Sequence, residues 1–115
     1  ELAARADENN LEKRVRMSIA QLLSEGVPAL SLVASKLGMS ARTLQRRLSG
    51  KGQSYQNLVD LARQELAQQL LRDTDYSLAE IAFLTGFAEQ SGFTRAFKRW
   101  AGQTPRSYRL GPPAG

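Results

Sequence analysis

Apolar residues recur along this chain at helical spacing, and no stretch alternates with the period of two that a half-buried strand requires. From Leu11 the apolar positions are Leu11, Val15, Ile19, Leu22 and Leu23, and Gly26 ends the run. Val27 to Leu30 reads as a connection, with Ser31 as the N-cap of a short helix from Leu32 to Leu37. Gly38-Met39 makes a turn, Ser40 caps a helix from Ala41 to Leu48, and Ser49-Gly50-Lys51-Gly52 breaks it. A longer helix follows over 55–72, about 25 Å at 1.5 Å per residue. Its stripe is Tyr55, Leu58, Val59, Ala62, Leu66 and Leu70, flanked by Leu61 and Leu71. Asp73-Thr74-Asp75 stops it, Ser77 caps a helix from Leu78, and Gly86 turns the chain into a helix that ends at Gly102. Pro105 suits the first turn of a last short helix holding Tyr108. The pattern predicts an all-α fold of about seven helices.

The helix after Gly86 has two unlike faces. Phe93, Phe97 and Trp100 share one of them. Gln90, Ser91, Thr94 and Arg95 point elsewhere, and each carries a group able to hydrogen-bond a base edge or a phosphate. A short capped helix, a glycine turn and a helix with a polar face is the arrangement of a helix-turn-helix unit. The arrangement occurs twice, at 32–48 and at 78–100, with Gly38 and Gly86 48 residues apart. Two such heads on a fixed spacer reach successive major grooves, about 34 Å apart on one face of a duplex. A spacer stiffer than the duplex geometry requires would bend the DNA, at a cost of a few kcal/mol. The predicted organisation is a linker or frayed start at 1–10, a first helix-turn-helix subdomain at 11–52 and a linker helix at 53–73. A second helix-turn-helix subdomain at 74–110 and a flexible tail at 111–115 complete it.

Composition narrows the chemistry. The 115 residues hold 42% hydrophobic residues, enough for a core, and neither cysteine nor histidine. That removes disulfides, thiol nucleophiles, Cys/His metal sites and histidine acid–base catalysis. No clustered carboxylate pair and no glycine-rich phosphate loop is present, so we expect no enzyme, no metal and no cofactor. No apolar run approaches a membrane span. The chain opens on Glu1 without a signal-peptide pattern, and we expect a piece of a longer protein. The net charge of +5 is unevenly spread. Lys36, Arg42, Arg46, Arg47 and Lys51 fall in one acid-free window; Arg95, Lys98, Arg99, Arg106 and Arg109 fall in another. The remaining 6 basic residues face 11 acidic ones. Two cationic segments on an otherwise acidic chain suit a polyanion touched at two places, although a solvated face is the usual fate of a charge run.

The second half also carries a specific set of residues: Arg63, Ala67, Leu70, Leu71, Leu78, Glu80, Ile81, Ala82, Gly86 and Phe87. Ser91, Phe93, Arg95, Phe97, Lys98, Arg99, Gly102, Thr104, Pro105, Tyr108 and Arg109 continue it. The first half adds Ala34, Leu37, Gly38, Met39, Ser40, Leu44 and Arg46 more loosely. With this spacing, residues 11 to 110 resemble the DNA-binding domain of the AraC/XylS family of bacterial transcription regulators. Leu48 departs from the aromatic commoner there, and keeps a core role with less bulk.

The resemblance implies a homeodomain-like fold of seven helices, with two helix-turn-helix units joined by a long helix. It implies sequence-specific binding of promoter or operator DNA in the bacterial cytoplasm, more often in activation than repression. It also implies an N-terminal effector or dimerisation domain that this chain lacks. By position, the base-reading residues are Arg42, Gln45 and Arg46 in the first unit and Gln90, Ser91, Thr94 and Arg95 in the second. Arginine grips guanine and glutamine grips adenine with two bonds each. Ser40, Arg47, Lys51, Lys98, Arg99 and Arg106 are the phosphate candidates. Ser40 and Ser77 are helix caps first, and Arg63 and Glu80 read as structural. Gly92 adds no side-chain contact, so the second unit reads fewer bases or admits a closer backbone. The alternative function is a protein-interaction module that meets RNA polymerase or the missing domain through helix 11–25 or 60–75.

Overall fold

The computed structural model describes residues 2–111, with side chains from residue 10 onward; residues 112–115 of the tail lie outside the described residues. The elements are α1 (Leu2–Leu22), a 3-10 turn (Leu23–Glu25), α2 (Leu30–Lys36), α3 (Ala41–Gly50), α4 (Tyr55–Asp73), α5 (Leu78–Leu84), α6 (Gln90–Ala101) and α7 (Pro105–Leu110). No strand occurs among the described residues.

Local signals set most boundaries. Ser40, Ser54, Ser77 and Thr104 each accept the backbone N–H three residues on, which satisfies a donor that the first turn leaves open. Ser77 and Glu80 form a reciprocal capping box. The Ser77 backbone N–H and then its side chain hold the Glu80 carboxyl below its ordinary pKa. One expected cap is corrected. α2 starts at Leu30 with Ala29 as the residue before it, so Ser31 lies inside the helix and is not a cap. Ala29 takes the extended backbone of a cap and its carbonyl accepts the Leu32 and Val33 N–H groups at 3.1 and 3.3 Å, while just ahead of it the Tyr55 hydroxyl donates to the Pro28 carbonyl at 2.8 Å. α1 begins at Leu2, nine residues before the apolar pattern does.

Two hydrophobic cores share α4. The first gathers Leu11, Val15, Ile19 and Leu23 with Val33, Ala34, Leu44, Leu48, Leu58, Val59 and Ala62. The second gathers Ala67, Leu71, Ile81, Ala82, Phe93 and Phe97, bordered by Phe87, Trp100 and Tyr108. The buried stripe of α4 therefore differs from the expected one. It runs Leu58, Val59, Ala62, Ala67, Leu71, while Leu66 and Leu70 are half-buried and Leu61 is exposed. Each half of the helix faces a different core, so one straight stripe cannot serve both. The exposed Arg16–Glu65 ion pair (3.1 Å) also joins α1 to α4, worth at most about 1 kcal/mol.

The second core is aromatic. Phe93 lies 5.8 Å from Phe87 and 5.9 Å from Phe97, and Phe97 packs edge-on against Tyr108 at 5.4 Å. Such pairs add about 0.5–1.5 kcal/mol each beyond area burial. Arg109 closes the end of α4. Its guanidinium donates to the carbonyls of Leu71 (3.1 Å), Thr74 (3.1 Å) and Tyr76 (2.7 Å), where the helix dipole favours a cation.

Burial pushes the Tyr55 hydroxyl up from 10.0 to about 12. Between those values the unfolded chain loses its phenolic proton while the folded chain keeps it, so this group destabilises the fold as pH rises through that window. Tyr55→Phe is expected to flatten this fall in urea titrations between pH 10 and 12. It should also remove about 1 kcal/mol at pH 7 through the lost hydrogen bond. An unchanged alkaline slope would sever Tyr55 from the effect.

Candidate nucleic-acid interface

The two helix-turn-helix units are built on one backbone motif. In the first turn, Met39 N–H donates to the Ala34 carbonyl (2.9 Å) and Gly38 N–H to Ser35 (3.0 Å). In the second, Phe87 N–H donates to Ala82 (2.9 Å) and Gly86 N–H to Phe83 (3.1 Å), each pair shifted by 48 residues. Both glycines have left-handed φ, +74° and +86°. This double bond is a Schellman stop, and it favours glycine because a Cβ is crowded at positive φ.

After the turns the offset becomes 49. Leu44 and Leu48 are buried in the first unit where Phe93 and Phe97 are buried in the second. The second turn holds one more residue before its helix starts at Gln90. This shift aligns Arg42 with Ser91, Gln45 with Thr94 and Arg46 with Arg95. Each set lies opposite a buried pair, at i, i+3 and i+4 on its helix. Ser49, at i+7 from Arg42, continues the same face and was not singled out from sequence. With Arg42, Gln45, Arg46 and Gly50 it borders an open concavity on α3. The counterpart of Ser49 on α6 is Lys98. Helical spacing from Arg42 was the signal that identifies it.

Arg42, Gln45, Arg46 and Arg47 on α3 are exposed, as are Gln90, Ser91, Arg95, Lys98 and Arg99 on α6; Thr94 is half-buried. None of these ten side chains has a hydrogen-bond or ion-pair partner among the described residues. Uncompensated guanidinium groups on an exposed helix face are available to an anionic or hydrogen-bonding partner. Ser40 is both cap and exposed, and accepts from the Thr43 N–H at 3.1 Å. Lys51 is half-buried and engaged within the protein. Arg106 is exposed on α7. Arg109, the last cation of the second basic window, donates to carbonyls at and just beyond the end of α4.

Arg63 is structural, as its place on the long helix suggested, but not through an ion pair. Its Nε donates to the Thr85 carbonyl (2.9 Å) and its Nη2 to Gly86 (2.7 Å), and the guanidinium carbon lies 3.9 Å from the Phe87 ring centroid. Burial pulls its pKa below the ordinary value, and Asp60 pushes back.

Gly92 has helical φ, and a Cβ there would meet only Phe87 Cδ1 at an ordinary 3.7 Å. No protein packing demands glycine. Gly92→Ala is expected to raise stability by about 0.5–1 kcal/mol in urea melts. If a duplex backbone approaches this point, the same variant binds DNA more weakly; unchanged affinity would leave the close-approach reading empty.

The family description "Helix-turn-helix domain" matches residues 33–111. Among curated relatives, the ornithine utilization regulator of Pseudomonas aeruginosa is 45% identical over 85 residues, 74% of this chain and 25% of that protein. The chain thus spans about a quarter of the length of such relatives. Among solved structures, a DNA-binding transcriptional dual regulator from Escherichia coli K-12 superposes with a TM-score of 0.78 at 28% identity, covering 87% of this chain and 89% of that one. The DNA-binding domain of AdpA, a global transcriptional factor solved with a target DNA, gives 0.66 at 31% identity, covering 86% and 89%. With the paired turns and the two polar helix faces in place, these matches make the chain a member of the AraC/XylS family of helix-turn-helix transcription regulators.

Proposed function

We propose that this domain binds double-stranded DNA sequence-specifically as part of a bacterial transcription regulator, with α3 and α6 in successive major grooves. The observation that carries the reading is the pair of unpartnered arginine-bearing faces set on equivalent helices, each opposite its own buried pair. Two heads engaging one face of a duplex meet it one helical turn apart, about 34 Å. Arg42, Gln45 and Arg46 read one half-site; Gln90, Ser91, Thr94 and Arg95 read the other. Ser40, Arg47, Lys98, Arg99 and Arg106 hold phosphates, which sets register and supplies salt-dependent affinity. Residues 11–52 and 74–110 act as the heads and 53–73 as the spacer. The relatives' regulatory names and this face together support a cytoplasmic role in activating transcription. No described helix is long and apolar enough to cross a membrane.

Selection of bound duplexes from a random pool, at two salt concentrations, tests the reading. Two enriched blocks about one helical turn apart are expected. No enriched sequence, with binding that collapses at moderate salt, would overturn it. A second role is supported by the groove between α1 and α4, lined by Lys13, Arg16, Met17, Glu65, Leu66 and Gln69, with Met17 53% exposed. RNA polymerase or an effector domain are the partners such a surface would serve.

A further inference from the structure

Three parts of the chain meet at Gly86. Arg63 comes from the middle of α4, directly after Ala62 of the first core. Its two donors end on Thr85 and Gly86, and its guanidinium covers Phe87. All three partners belong to the turn that delivers the chain to α6. Leu23, from the turn that ends α1, lies against the same glycine. A Cβ at Gly86 would lie 3.2 Å from both Leu23 Cδ2 and the Leu23 carbonyl oxygen. A residue of the first core thus touches the backbone of the second unit's turn.

The first unit has no such joint. A Cβ at Gly38 would meet nothing within 4 Å, and no side chain donates to the carbonyls of its turn among the described residues. The contact therefore does not follow from the helix-turn-helix motif. A planar fork on two carbonyls, with a ring against its face, fixes rotation as well as distance; an ammonium would fix distance only. Between the two cores, the joint adds a directional tie to what α4 alone provides.

We propose that the Leu23–Arg63–Gly86 joint is a positioning device that holds α6 at one angle and distance from α3, and so determines which separation of two DNA half-sites this domain accepts. The proposal rests on the DNA-binding reading above. A rigid pair of heads gains from simultaneous engagement only where the spacing matches, and a loose pair spreads that gain over several spacings.

The test uses the full chain as wild type, Arg63→Met and Arg63→Lys. Binding is measured to two-block duplexes whose spacing is changed by one and two base pairs, and to duplexes with either block scrambled. Wild type is expected to prefer one spacing by roughly tenfold over its neighbours. Arg63→Met is expected to flatten that profile while retaining single-block affinity, and Arg63→Lys to fall between. A folded Arg63→Met with the wild-type profile, or with equal losses on single and paired blocks, overturns the joint. A distance measurement independent of DNA separates the two failures. The chain has no cysteine, so spin labels at exposed Ser35 and Ala79, introduced as Ser35→Cys and Ala79→Cys, report on the two heads alone. A narrow distribution that broadens in Arg63→Met supports the joint, and an unchanged width overturns it even if no two-block site exists. Should Arg63→Met not fold, Arg63→Lys decides by the same readouts.

Discussion

Gly86→Ala is expected to destabilise the domain by about 3 kcal/mol, and Gly38→Ala by only about 1 kcal/mol. Both positions have positive φ, +86° and +74°, so both variants incur the left-handed strain of an L-residue, about 1–2 kcal/mol. Only at Gly86 does the new methyl also meet neighbours: Leu23 Cδ2 and the Leu23 carbonyl oxygen at 3.2 Å, and Arg63 Nη2 at 3.4 Å. The Leu23 side chain can turn aside, but its carbonyl oxygen cannot move without the chain that carries it. Overpacking of this kind costs about 1–3 kcal/mol. Against a total stability of about 5–15 kcal/mol, the loss is large enough to lower the urea midpoint plainly. Equal losses at the two glycines would show that Leu23 and Arg63 do not press on this turn.

Arg46→Ala and Arg95→Ala are expected to weaken binding to a selected two-block duplex by about 1–3 kcal/mol each, roughly five- to 150-fold. Each should relax preference in one block only, since the two arginines sit at equivalent positions on different heads. Loss of a bidentate grip on a guanine removes discrimination as well as affinity. Arg99→Ala, a phosphate contact on this reading, should instead weaken all sequences alike and lower the log–log salt slope by about 0.9. The heads are unequal. α3 offers two arginines and a glutamine on its face, whereas α6 offers one arginine, a glutamine and two short hydroxyl side chains, so the α3 block should be the more sharply read. Titrations of both variants against single-block changes decide the matter. Wild-type affinity in both would move the function to the α1–α4 groove.

Much of this was legible from residues a few positions apart. Leu44 with Leu48 and Phe93 with Phe97 mark the inner faces, and Arg46 and Arg95 fall opposite them by spacing alone. Ser40 and the Ser77–Glu80 pair act within three residues, so their caps could be read directly. Ser31 could not, because the helix opens on the backbone of Ala29, whose carbonyl accepts the first N–H groups and whose side chain carries no capping signal. The stripe of α4 was misplaced from Ala67 onward for another reason. Periodicity finds one apolar face, and this helix serves two cores.

The number and order of helices, the repeated turn and the polar faces opposite each buried pair are written in the order of residues along the chain. Those follow from hydrogen bonds and side-chain periods that close within a turn or two of chain. Which cations remain free is instead a matter of how the two cores pack. Arg109 looks like the other arginines of its basic window in a string of letters, yet its guanidinium ends on carbonyls 33 to 39 residues away. The structural role of Arg63 is legible from its place on the long helix, but the carbonyls it reaches, 22 and 23 residues on, are not. The same packing decides that Gly86 and not Gly38 is pressed by a neighbour. A guanidinium reaches whichever carbonyls the packing of the two cores leaves open, and that packing is a property of the whole chain.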